Sequence, residues 1–341
     1  MFRFFLSALL VGGAFAHAEE PVEILKLDVI PYEKLMQGDL KTLQILDRAL
    51  HEKGIVGVRG VPSYKEKYQQ FITVAREFSA LPEEVKESYK PNRALGETFL
   101  GYENGKEKFQ RPNGEWIIDD LKTSYYAFVP DNFTNKWPNE VDLRGPFEAL
   151  GGLMTEVGEL IMYKMELLGS HTGLQLEDNS RVGRMLYYRK SDNNENPYWC
   201  GAHFDHGLFT TILPAVYFAK GEQISEPPEA GLFIRTSEGG PFKKVLANDF
   251  DVMMFQVGEF GQLVTDDGIR ATEHRVHKAI DAVERYTLAV FYSAPMDVPI
   301  YSQSVLTNDA RYGAKKGEAC TFRHWHEATF QRYLVKENEK L

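Results

Sequence analysis

Residues 201–213 read GAHFDHGLFTTIL. Successive side chains in an extended backbone alternate between faces, so His203 and Asp205 share one face and His206 takes the other. The run Phe209 to Leu213 that follows is β-branched and aromatic, the composition of a strand. Further short runs of this kind come after Gly173: Val182 to Tyr188, Leu232 to Ile234, Val252 to Val257, Gln262 to Thr265 and Thr287 to Phe291. Separated by turn residues, they predict a sandwich or barrel-like β fold.

Upstream the periodicity changes. Leu40, Leu43, Leu46, Ala49 and Leu50 recur at helical spacing, with Gly54 as a stop signal, and Ile55 to Val58 reads as a short strand. Phe71, Val74, Ala75 and Phe78 mark a second amphipathic helix, and Leu81-Pro82-Glu83-Glu84 starts another. Residues 92–139, rich in Gly, Pro, Asn and aromatics, predict irregular, partly β structure. A long helix is expected over 146–168, and the tail returns to helix near Trp325 to Val335. The expected organisation is a leader at 1–18, a mainly helical region at 19–175, a β core at 176–298 and a helical tail at 299–341, forming one compact body.

Composition limits the function. With 341 residues, 43% hydrophobic and 26% charged, the chain is globular and long enough for a sizeable core. Lys+Arg 39 against Asp+Glu 49 gives a net charge of -10, which argues against nucleic acid and anionic lipid as partners. Cys200 and Cys320 are too few for a thiolate metal site, so any metal must use nitrogen and oxygen ligands. Phe4 to Ala16 is apolar, follows Arg3 and ends in Ala16-His17-Ala18, the layout of a cleavable secretory signal. Export to the periplasm or medium is therefore expected, with no membrane attachment after cleavage; a cytoplasmic location is the alternative.

Alone, a His-x-Asp pair more often marks a structural histidine than a ligand. His274 adds a third donor among the later strands. Two histidines and one carboxylate on one side of an ion leave its other positions open, the arrangement of non-haem Fe(II) oxygenases. Eleven positions further on, Arg285 and Thr287 alternate onto one face, where they can clamp a carboxylate.

In order, the chain carries Arg184-Met185-Leu186-Tyr187-Tyr188, GAHFDHGLFTTIL, VGEFGQLVTDDGIRATEHRVHKA and RYTLAVFYSAP. Through these motifs it resembles the isopenicillin N synthase-like branch of the Fe(II)/2-oxoglutarate dioxygenases, over about 181–295 and more weakly over 28–102. The resemblance implies an α+β fold with a double-stranded β-helix (jelly-roll) core and flanking helices, mainly from the N-terminal half. It implies Fe(II) on His203, Asp205 and His274, and 2-oxoglutarate held by Arg285 and Thr287 with Tyr188 as a further donor. The implied reaction consumes O2 and oxidises a C–H bond of a small organic substrate, with succinate and CO2 as co-products. Where the family motif often has Asn and Ser, this chain has Leu186 and Thr287, and leucine cannot donate. Two alternatives use the same residues: a 2-oxoglutarate-independent Fe(II) oxidase of this fold, and a catalytically silent exported metal- or ligand-binding protein.

Other candidates rank lower. His206 and His277 should face away from the metal, and His324 and His326 read as surface histidines. Arg93 reads as a solvated arginine. Tyr102, Trp116, Tyr125, Tyr126 and Trp137 could line an apolar pocket, although core packing is the commoner use. Substrate choice is assigned to 92–139, the tail and the loop Gly221 to Ala230; substrate identity and oligomeric state are not legible.

Overall fold

The computed structural model describes residues 22–334 except 96, 98, 112–113, 168–174, 178–179, 192–195 and 247–248. The expected leader at 1–18 lies outside the described residues. Strands Tyr198–His203, Gly231–Arg235 and Glu273–His277 sit in a five-stranded sheet, while Phe209–Ile212, Val252–Val257 and Glu284–Tyr292 sit in a ten-stranded one. The chain thus winds back and forth between two sheets, the double-stranded β-helix that the motifs imply. Inner-face residues of both sheets, among them Ile212 and Met254 from one and Leu232 and Val276 from the other, line a single cavity.

Helices cover the outer face of the larger sheet. Helix Leu40–Glu52 starts on Asp39, whose carboxylate accepts the Thr42 amide at 3.0 Å, and the left-handed Gly54 turns the chain into strand Ile55–Arg59. Helix Arg144–Leu167 buries Phe147, Leu150, Met154, Val157 and Ile161, the face expected from their spacing. Its Gly158 is fixed by contact: a β-carbon there would stand 2.0 Å from the Tyr292 hydroxyl, which donates to the Met154 carbonyl at 3.0 Å. An interior glycine costs a helix about 1 kcal/mol against alanine, and here it lets helix and sheet approach closely.

One sequence expectation needs correction. Gln262 to Thr265, read as a strand, is mostly the second half of helix Glu259–Val264. The amides of Glu259 and Phe260 at its start bond the carbonyls of Asp205 and Gly207, so this segment caps a loop instead of joining a ladder. The region 19–175, in which helix exceeds strand among the described residues, also contributes strands to the β core. Its strands Ile24–Leu25, Val29–Pro31, Ile55–Arg59, Gly101–Asn104 and Lys122–Phe128 all join the two main sheets. They pair strand edges that the 176–298 segment would leave open, and unpaired edges are a liability.

Replacing Gly158 by Val should destabilise the protein by about 1–3 kcal/mol, the usual cost of overpacking, measured as a lower urea midpoint at unchanged slope.

Candidate active site

His203 ends strand Tyr198–His203 and lies directly opposite His274 in the antiparallel ladder, with ring centres 4.2 Å apart. Asp205 follows just past the strand, in a loop tied down by its carbonyl accepting the Glu259 amide at 2.7 Å. Gly258 permits that approach, since a β-carbon on it would meet the Gly207 carbonyl at 2.2 Å. One ligand atom from each of the three residues lies within 4.8 Å of the others, and both imidazole Nε2 atoms stand 3.8 Å from Asp205 Oδ1.

The hydrogen bonds behind these groups aim their lone pairs. His203 Nδ1 is 2.9 Å from the Gly201 carbonyl and His274 Nδ1 is 3.1 Å from the Thr272 carbonyl. A carbonyl only accepts, so these contacts assign the proton to Nδ1 and leave Nε2 free to ligate. Asp205 Oδ2 accepts from Thr210 Oγ1 and Gln256 Nε2, each at 2.6 Å, which leaves Oδ1 to face the imidazoles. Burial, reinforced by His203, pushes His274 down to about 4, so it is neutral near pH 7. Burial opposes ionisation of Asp205, but the two imidazoles and the two donors outweigh it and hold the carboxyl below its ordinary value. Two imidazole nitrogens and one carboxylate oxygen, all converging, suit a divalent first-row metal.

A second feature of the cavity suits an anion. Arg285 is buried, its guanidinium lies 4.8 Å from the Tyr188 ring centre, and Nε donates to the Tyr217 hydroxyl at 3.2 Å. Its Nη1 is buried without a hydrogen-bond partner among the described residues. Tyr217 donates in turn to Glu226 at 3.0 Å, and Glu226 pairs with Lys244 at 3.0 Å. One anion and two cations leave this end with a net positive charge, and an unpaired guanidinium hydrogen is costly until an acceptor arrives.

Arg285, Thr287 and Tyr188 line the cavity with the triad, as the sequence reading expects. Thr287 differs in detail, because its hydroxyl donates to the Leu213 carbonyl at 2.8 Å and that proton is already committed. His277 stacks on Phe233 at 3.8 Å and does not line the cavity, whereas His206, stacked on Phe322, lines it with the three donors without joining their group, which corrects the expectation that it faces away. His326 corrects the surface reading. Its Nδ1 lies 2.9 Å from His206 Nε2, and it lines the cavity, whereas His324 is exposed. Arg93 pairs with Glu103 at the cavity edge, half-exposed. Of the aromatics, Trp116 and Tyr126 line the cavity, Tyr102 and Tyr125 are core, and Trp137 packs against that core.

Sequence reasoning missed Thr210, Gln256, Tyr217, Glu226 and Lys244. Their partners lie as far as 68 residues away in the case of Tyr217 and Arg285, and no local pattern links them. Thr210→Val and Gln256→Leu should each weaken divalent-metal binding about 10–100-fold, the usual effect of losing an outer-shell bond. Titration with Co(II), followed by its visible absorption, gives the affinity directly.

A family model described as "non-haem dioxygenase in morphine synthesis N-terminal" matches residues 27–140. A homoarginine-6-hydroxylase of Arabidopsis thaliana is 27% identical over 235 residues, covering 62% of this chain and 70% of the relative. A proline hydroxylase of Petromyces alliaceus is 23% identical over 338 residues, covering 92% of this chain and all of the relative (100%). Among solved structures, a full-length Neurospora crassa protein in complex with alpha-KG superposes with a TM-score of 0.67 at 20% identity, covering 92% of this chain and 99% of that one. A 2OG-Fe(II) oxygenase family protein of Caulobacter crescentus gives a TM-score of 0.67 at 19% identity, covering 90% and 99%. These two likenesses show the shared fold. With histidine–aspartate–histidine donors converging in a double-stranded β-helix, the chain is similar, through the family model over its N-terminal third and through the two hydroxylase relatives, to the Fe(II)- and 2-oxoglutarate-dependent oxygenases.

Proposed function

We propose that this protein oxidises a C–H bond of a small organic substrate, using Fe(II), 2-oxoglutarate and O2 and releasing succinate and CO2. The observation that carries the reading is the pairing, in one cavity of about 1330 Å³, of three converging metal donors with a buried guanidinium that lacks a partner among the described residues at Nη1. His203, Asp205 and His274 would hold the iron, which when bound supplies the oxidising power. Arg285 binds the distal carboxylate of 2-oxoglutarate through Nη1, and its Nε bond to Tyr217 keeps the guanidinium plane fixed. Tyr188 packs against that guanidinium and excludes water from the ion pair. Thr210 and Gln256 occupy Asp205 Oδ2, so Oδ1 would be the oxygen this residue offers to the iron. That relatives are named hydroxylases supports hydroxylation as the outcome.

The ordered motifs support placement in the isopenicillin N synthase-like branch, and the apolar leader supports export, with cleavage after Ala18. N-terminal sequencing of protein recovered from its native host should begin at Glu19; an intact Met1 refutes export by this route.

Anaerobic addition of Fe(II) and 2-oxoglutarate should produce the weak visible charge-transfer band of the chelate. Asp205→Ala should lose that band and reduce succinate formation to background. Arg285→Met should raise the KM for 2-oxoglutarate by about thirtyfold or more, the low end of the 2–5 kcal/mol lost with a buried charge partner. Oxygen uptake that proceeds at full rate without 2-oxoglutarate would overturn the assignment.

A further inference from the structure

We propose that the substrate carries a zwitterionic head, an ammonium and a carboxylate on one small molecule, recognised by Glu107 and Arg184. This rests on the reading that the same cavity is the oxygenase site.

Strand Arg181–Tyr188 turns Arg184, Leu186 and Tyr188 toward the cavity. In the ladder with Glu284–Tyr292, Tyr188 faces Arg285 and Arg184 faces Ala289. Arg184 therefore stands four residues along the cavity floor from the co-substrate guanidinium, about 13 Å at the usual rise of a strand. That distance separates a second polar subsite from the first.

The groups at this subsite are already paired, but incompletely. Arg184 Nη2 donates to Glu107 Oε1 at 3.0 Å, its Nε donates to Ser124 Oγ at 2.9 Å, and its guanidinium lies 4.8 Å from the Tyr126 ring centre. Its Nη1 has no hydrogen-bond partner among the described residues. Glu107 Oε2 pairs with Lys122 Nζ at 2.7 Å, and Lys122 pairs with Asp119 at 2.7 Å. The Glu107 side chain is 32% exposed and that of Arg184 14%, whereas Lys122 and Asp119 lie behind them at 5% and 3%. What this wall presents to a ligand is one anion beside one cation. Burial would raise Glu107, but Arg184 and Lys122 outweigh it and hold the carboxyl well below the ordinary range, so the anion is permanent near neutral pH.

Charge then selects the ligand. Lys122 and Arg184 balance Glu107 and Asp119, so the wall is neutral, unlike the positive Arg285 end. A lone anion or cation bound here would leave one charge uncompensated in a poorly solvated site, where desolvation is not repaid. A neutral dipolar head avoids that cost: its carboxylate takes Arg184 Nη1, and its ammonium takes the lone pair of Glu107 Oε2 that Lys122 leaves, since Oε1 already accepts from Arg184 and, at 3.4 Å, from the Tyr126 hydroxyl. Phe109, Phe128, Phe291 and Phe330 line the same cavity and suit an apolar remainder.

The test is calorimetric titration of the Mn(II)-loaded protein, with and without 2-oxoglutarate. The probes are the proteinogenic L-amino acids, each with its decarboxylated amine and its N-acetyl derivative. At least one free amino acid should bind tenfold or more tightly than both of its singly charged analogues. Glu107→Gln and Arg184→Met should each weaken that binding at least tenfold, and Arg184→Lys less, while the Kd for 2-oxoglutarate stays within twofold and so reports an intact fold. The proposal is overturned if no free amino acid exceeds its singly charged analogues. It is also overturned if a variant that binds 2-oxoglutarate normally keeps full amino-acid affinity. Loss of 2-oxoglutarate binding by the unsubstituted protein would instead overturn the oxygenase reading, and the titrations without 2-oxoglutarate are still read.

Discussion

The site depends on one register: His274 opposite His203 across two antiparallel strands. Side chains alternate with a period of two, so a slip of one residue would send one imidazole to the far side of the sheet. The ladder is irregular immediately beyond this pair, with register shifts between His274 and Val276 and again before His277. The facing of the two donors is kept although the ladder shifts register directly after them. Asp205 lies off the ladder and needs separate restraint, which comes from its own carbonyl on the Glu259 amide and from Thr210 and Gln256 on its second oxygen.

Electrostatically the cavity has two different ends. Around Arg285 the charges do not cancel, and desolvating them costs stability that the proposed binding of 2-oxoglutarate would restore. Around Arg184 they cancel within the chain itself, so that wall is stable without a ligand. Between the two, Lys122 Nζ lies 3.6 Å from Cys200 Sγ, which lies 3.8 Å from His203 Nδ1. The neutral wall is thus packed almost directly behind a metal donor, and the rigidity of each supports the other. Burial pushes the Cys200 thiol up to about 11, so it acts here as a small packing group and not as a ligand.

The parts of this arrangement that are legible in the sequence are those set by strand period. His203 follows alternation, and so do Arg285 and Thr287, whereas Tyr188 enters only through the family motifs. Asp205 reaches the same side as His203 although it stands just outside the strand. What period cannot show is a bond between remote segments. Gln256 meets Asp205 across 51 residues, and Arg184 meets Glu107 across 77. Helix Glu259–Val264 escapes a sequence reading because Val264 and Thr265 favour strands, while the cause of the helix, two loop carbonyls over its first amides, lies elsewhere in the chain. His326 reads as a surface residue because its partner His206 comes from the far side of the β core in sequence.

The final helix, Phe322–Tyr333, reaches into the centre through the loop that follows Asp205. Trp325 donates its indole hydrogen to the His206 carbonyl at 3.1 Å, His326 meets the His206 ring, and Leu334 bridges the backbone of Glu107. A shortened chain that stopped before Trp325 would still possess every residue of the donor set and yet lack the brace that keeps them in place. Purification handles are for that reason better kept off this end of the chain, away from the doorway through which reactants must pass.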